Sequence, residues 1–132
     1  LTSATGCILG KEKPWIEQYL NGSTNQITVN TRTMDSEVDK NKIPSLIKID
    51  VEGHEVEVLE GAVNTLSKKK PLLIIESFPP KQEKVISHLQ AYGYNLEDAD
   101  RRGPVNSKTN NLFAWHPKGP LKESIIQKVL HK

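Results

Sequence analysis

Hydrophobic and polar positions along this chain change rhythm several times, and each change predicts an element. From Gln26 to Thr31, Ile27, Val29 and Thr31 alternate with polar residues, the period-two pattern of a strand with one buried face. Asp35 and Ser36 offer a cap for a short helix ending near Asn41. Pro44 to Val51 is a nearly continuous apolar run and predicts a strand buried on both faces, within which Lys48 and Asp50 need a reason. Gly53 permits a sharp turn. Beyond it Val56, Leu59, Val63 and Leu66 recur at helical spacing, the stripe of an amphipathic helix that Pro71 stops. Leu72 to Glu76 reads as a second hydrophobic strand. Pro79-Pro80 ends it and opens a helix with Val85, Ile86 and Leu89 on its buried stripe and Gly93 as its stop. Tyr94 to Leu96 and Asn111 to Trp115 form a last pair of strands, joined by the polar stretch Asp98 to Asn110 in a way that lets them run antiparallel. A closing helix over 121–131 would carry Leu121, Ile125 and Val129 on one face, and a short helix is expected from Pro14 to Leu20.

Strands alternating with helices through short connections predict an α/β fold: a mostly parallel sheet with flanking helices and right-handed crossovers. The 132 residues suffice for a single domain over 1–132, since a chain of this size buries roughly two-thirds of the surface it exposes when unfolded. With 36% hydrophobic and 26% charged residues, the composition favours folding over disorder. No apolar run is longer than the four residues of Leu72 to Ile75, far short of the ~18 residues that span a bilayer, so no membrane segment is expected. No secretion signal is evident near Leu1, and the lone Cys7 suits a reducing compartment, so a soluble cytoplasmic protein is expected. Without that signal, Asn21-Gly22-Ser23 reads as a turn instead of a glycosylation acceptor. The opening at Leu1 in place of Met is what a processed or truncated polypeptide would show. A net charge of +2 is too small for a nucleic-acid partner, and Lys68-Lys69-Lys70 falls at a predicted helix end, where cations oppose the helix dipole.

Ligands of open parallel sheets bind beyond the carboxyl ends of the strands, so acids at strand ends are the candidate chemistry. Asp50, Glu52, His54 and Glu55 cluster after one strand, and Glu76 ends the next. Glu55 has a plainer explanation as a first-turn charge, Glu57 and Glu60 as a solvated helix face, and His54 as a surface residue. Asp50 and Glu76 differ, because each ends an apolar strand where a desolvated carboxylate is costly without a partner.

Lys48-Ile49-Asp50-Val51-Glu52-Gly53, followed by Leu59-Glu60-Gly61-Ala62, resembles the signature of FkbM-family methyltransferases. Met34-Asp35 is similar to an upstream pair of that family, Pro71 to Glu76 to its next strand, and Asn111-Leu112-Phe113-Ala114 to its closing strand, so the likeness spans residues 26–116. The resemblance implies the C-terminal portion of a class I (Rossmann-like) methyltransferase fold with a reversed last strand, using S-adenosylmethionine as methyl donor. The family's donor-binding glycine-rich loop has no counterpart, since no two glycines are separated by one residue; that part is expected upstream of Leu1, and the chain alone is then inactive without it.

Methyl transfer to oxygen is an in-line displacement in which positioning supplies most of the acceleration, while a hydroxyl acceptor must lose its proton to a base. Asp50, Glu52 and Gly53 are the expected acceptor-binding residues, with His54 or Glu76 as base and a small molecule or sugar as acceptor. Two rivals stand beside this reading. One is a hydrolase holding magnesium on Asp50, Glu52 and Glu76, or a magnesium-assisted methyltransferase. The other is a non-catalytic, truncated interaction module whose exposed sheet edge pairs with another chain, a second copy included.

Overall fold

The structure is a computed structural model that describes residues 28–38, 44–121 and 123–130. Packing divides the chain into Leu1–Thr31 and Arg32–Lys132. The expected helix from Pro14 to Leu20 and the first residues of the expected strand from Gln26 lie outside the described residues, and Thr28 to Thr31 form no strand. The second unit runs α1 (Met34–Glu37), β1 (Leu46–Ile49), α2 (Glu55–Glu60), a π-helical turn (Thr65–Lys69), β2 (Leu72–Glu76), α3 (Gln82–Ala91), β3 (Asn95–Asp98), β4 (Asn111–Trp115) and α4 (Glu123–Leu130).

These strands form one sheet in the order β1-β2-β4-β3. The pair β1–β2 is parallel, while β4 is antiparallel to both β2 and β3. The expected mostly parallel sheet is therefore corrected to a mixed one: β1, β2 and β3 share a direction, yet most hydrogen-bonded pairs are antiparallel. The cause is local. No helix separates β3 from β4, so β4 returns antiparallel and inserts between β2 and β3.

Side-chain alternation sorts the core onto the two faces of this sheet. Ile49, Leu73, Ile75, Leu112 and Ala114 pack with Leu59, Leu66, Val85 and Leu89 on one side. Leu72, Phe113 and Trp115 meet Ile126 of α4 on the other. Leu59, Leu73, Leu89 and Leu112 are fully buried, each worth about 1.5–3 kcal/mol of burial free energy. The two central strands, β2 and β4, are covered on both faces. In β1, Leu46 and Lys48 are exposed, which corrects the expected two-sided burial: alternation turns them to the face opposite α2 and α3, at the sheet edge.

The helices depart from their expected stripes for related reasons. Gly61 ends α2 early, and the chain continues through a turn so that Ala62 and Leu66 are buried while Val63 stays exposed. Among the described side chains of α4, Ile126 is buried and Ile125 faces out, because two adjacent isoleucines leave the phase of a short helix open. Thr33, not Asp35 or Ser36, caps α1, its hydroxyl accepting the Ser36 N–H at 3.2 Å. Asp35 instead crosses to the segment after α2, accepting the N–H groups of Asn64 (2.7 Å) and Thr65 (2.9 Å) and the Thr65 hydroxyl (2.8 Å). Burial pushes the Asp35 carboxyl upward, but these hydrogen bonds outweigh it and hold the group below its ordinary value.

Candidate active site

Parallel pairing aligns Ile49 with Ile75, so the residues that follow, Asp50 and Glu76, leave the sheet side by side at its carboxyl rim. Both belong to the face away from α2 and α3, because Ile49 and Ile75 point into the helix-packed core. Glu76 is half-buried, and its carboxyl is raised above the ordinary glutamate value. Desolvation is the largest cause, the Asp50 carboxylate follows, and Glu52 adds a smaller push in the same direction. A hydrogen bond shared with Asp50 also favours the proton, while Lys48 opposes. Two carboxyl groups that crowd each other at a strand-end rim are the arrangement in which one holds a proton more tightly than usual.

Lys48 supplies the reason the sequence lacked. Two residues before Asp50 on the same face, its ammonium donates to Asp50 Oδ2 at 2.7 Å, and that hydrogen bond raises the lysine in return. Asn111 completes the row, paired with Glu76 across the antiparallel ladder and donating its amide to Asp100 at 3.0 Å. Lys48 and Asn111 both fall in segments that resemble the family, but neither was assigned a role there; Lys48 reaches Asp50 along its own strand, and Asn111 reaches Glu76 through the strand register.

The turn after β1 is held from several sides. Glu52 and Gly53 both take positive φ, 51° and 95°, and His54 N–H closes the turn onto Val51 C=O at 3.4 Å. Glycine adopts this conformation freely. Glutamate does so against the steric preference of an L residue, the kind of local strain that collects at functional sites. Glu55, almost fully buried, accepts the Gly53 N–H at 2.8 Å, and Lys81 from the start of α3 donates to Gly53 C=O at 2.7 Å. Glu55 is thus a structural carboxylate that fixes the turn, and Gly53 contributes its conformation, with both its backbone groups engaged. His54 lies at the N-terminus of α2 without capping it, its Nδ1 at 3.7 Å from Glu57.

A second carboxylate centre escaped the sequence reading, which left Asp98 in a polar connection. Asp98 is fully buried, and its oxygens accept the Thr109 hydroxyl (2.6 Å), the N–H groups of Asp100 (2.9 Å) and Arg101 (2.8 Å), and Arg101 Nη1 (3.0 Å). The Thr109 hydrogen bond is the largest of the forces that bring its carboxyl down to about 2, against the pull of burial. Its place as the last residue of a strand, like Glu76, was the available signal.

No group of three or more His, Cys, Asp and Glu side chains is gathered to hold a metal ion among the described residues. No helix among them is long and apolar enough to cross a membrane. Among known families, the one described as Methyltransferase FkbM domain matches residues 8–96. The match begins upstream of the described residues and ends within β3, so it includes the Asp50–Glu76 rim and stops short of β4. Curated proteins and solved structures give no match.

Proposed function

This chain belongs to the FkbM methyltransferase family, and from that premise we propose that it methylates a hydroxyl oxygen of a small molecule or sugar at the Asp50–Glu76 rim, with S-adenosylmethionine as donor. The framework in this reading is the class I methyltransferase sheet, of which β1, β2, β3 and the reversed β4 are the C-terminal strands. What carries the proposal is the raised carboxyl of Glu76 beside Asp50.

The donor suits this rim because the crowded carboxylates leave negative charge that a cation would relieve. Bound there, S-adenosylmethionine supplies an electrophilic methyl group on a sulfonium. The protein's own residues do the rest. Asp50, oriented by Lys48, and Glu52, displayed by its left-handed turn, accept hydrogen bonds from the acceptor and fix its attacking oxygen. Glu76 takes the proton from that hydroxyl, since a carboxyl raised toward the working pH is a stronger base than an ordinary one. His54 is second in line for that role, with Glu57 as its neighbour. No observation favours the hydrolase or the non-catalytic reading.

The test is incubation of the enzyme with methyl-labelled S-adenosylmethionine and a set of hydroxylated acceptors, followed by mass spectrometry of the products. Label on an acceptor oxygen supports the assignment. Label on nitrogen or carbon alone, or release of methanol without acceptor, overturns it.

A further inference from the structure

Phe78 stands two residues beyond Glu76 with half of its surface exposed, whereas Phe113, the other phenylalanine, is buried. Isolated exposed apolar residues are common and by themselves mean little. Phe78 differs from the exposed Val29, Leu46, Val63 and Ile125 in being aromatic, in its place beside the rim, and in the rigidity of its backbone. Ser77 N–H donates to Asn110 C=O at 2.9 Å, which extends the β2–β4 ladder one residue past the strand. The buried Gln82 side chain holds Ser77 C=O at 2.8 Å and Thr109 C=O at 2.6 Å, and Gln82 N–H holds Phe78 C=O at 3.1 Å. The chain around Phe78 is therefore pinned on both sides, and the ring is displayed on a fixed mount. Phe78 follows the end of β2 by two residues, so it stands at the same carboxyl rim of the sheet as Glu76.

An aromatic face beside paired carboxylates is a chemical combination with a definite ligand. The face of the ring is electron-rich and attracts weakly positive C–H groups, and carboxylates accept hydrogen bonds from hydroxyls. A pyranose-like ring offers both, C–H bonds on one face and hydroxyls around its edge. We propose that Phe78 is the acceptor platform of this enzyme: it receives the C–H face of a sugar ring while Asp50 and Glu76 take that ring's hydroxyls. The inference rests on the methyl-transfer reading of the rim and narrows its acceptor to a ring sugar. Phe78 acts by binding and selecting, with the chemistry left to the acids.

Because the chain has two phenylalanines, carbon-13 labelling of their rings reads the platform directly, with Phe113 as internal control and Phe78→Leu as assignment. The probes are methyl glucopyranoside and methyl galactopyranoside, sorbitol as an open-chain polyol with the same kind of hydroxyls, and S-adenosylhomocysteine for the donor. The proposal expects the Phe78 signals to move with a glycoside and not with sorbitol, while Phe113 stays still. Phe78→Leu is expected to raise KM for the acceptor roughly tenfold with kcat and the donor KM little changed, the loss of one aromatic contact made equally in ground and transition states. Silence of Phe78 toward both glycosides overturns the proposal, as does an equal response to sorbitol, or a response to S-adenosylhomocysteine that marks it as a donor contact. If glycosides bind at Phe78 but no methyl transfer occurs, the platform stands and the proposed reaction fails.

Discussion

Glu76 and Asp98 each end a strand of the same sheet, and their surroundings push them in opposite directions. Asp98 is sealed from solvent and surrounded by donors, so its negative charge is the stable form and its carboxyl falls to about 2. Glu76 is only partly covered and shares its corner with Asp50, so desolvation and like charge favour its proton. The first arrangement organises the connection between β3 and β4. The second keeps a carboxyl unsettled at a partly exposed rim. Burial of an acid at a strand end therefore says little by itself, and what separates scaffold from chemistry is whether the neighbours satisfy the charge or compete with it.

Replacing Glu76 with Gln tests the unsettled side and carries the largest expected effect. If Glu76 is the base, kcat falls by about 10²-fold or more, the usual contribution of a positioned base. Stability should move the other way. A carboxyl raised in the folded state contributes most below its unfolded pKa, and that contribution is lost as pH rises through the folded value; at neutral pH the charged glutamate is a cost that Gln removes. A higher Tm at neutral pH together with the lost turnover separates a functional carboxylate from a structural one. A stable variant with full turnover would take Glu76 out of the mechanism.

Asp98→Ala should show the reverse pattern, with a loss of about 3 kcal/mol in denaturant unfolding, because Thr109, Arg101 and two backbone N–H groups lose their acceptor. The native carboxylate is depressed, so its stabilisation is fully present above the unfolded aspartate value near 4 and drains away as pH falls toward about 2. The variant's stability should be flatter across that window. An unchanged acid-unfolding curve would mean that the loop is held by something other than Asp98.

How much of this contrast the sequence disclosed depends on the range of the interactions involved. Local pattern was enough for β2, for the turn at Gly53 and for the acids at strand ends, since periodicity, a left-handed turn and an apolar run closed by an acid all lie within a few neighbouring residues. The position of β4 between β2 and β3 was not visible, because pairing partners are chosen across the whole sheet. Asp98 passed as a loop residue because its strongest partner, Thr109, comes from the far end of a long connection, although the Asp100 and Arg101 donors are local. Asp35 was misread as a cap because its partners, Asn64 and Thr65, lie some thirty residues on. Val63 and Ile125 each fitted a helical stripe, but short helices take their rotation from packing partners and not from propensity.

The finest test of the contrast lies at Lys48, where the expected effect is smallest and its sign is fixed by geometry. Lys48 is exposed, so its ion pair with Asp50 contributes little to stability, and Lys48→Met should leave the unfolding curve nearly unchanged. Its charge nevertheless lowers the Glu76 carboxyl, while Asp50 raises it. In Lys48→Met the acid limb of the kcat/KM profile should therefore move to higher pH, and in Asp50→Asn it should move to lower pH, alongside any loss of rate from acceptor positioning. Shifts of opposite sign at two residues flanking one carboxyl identify that carboxyl as the titrating group. Shifts in the same direction, or a limb that ignores both charges, would assign the base to a residue away from this corner, and Glu76 would then resemble Asp98 in serving the scaffold.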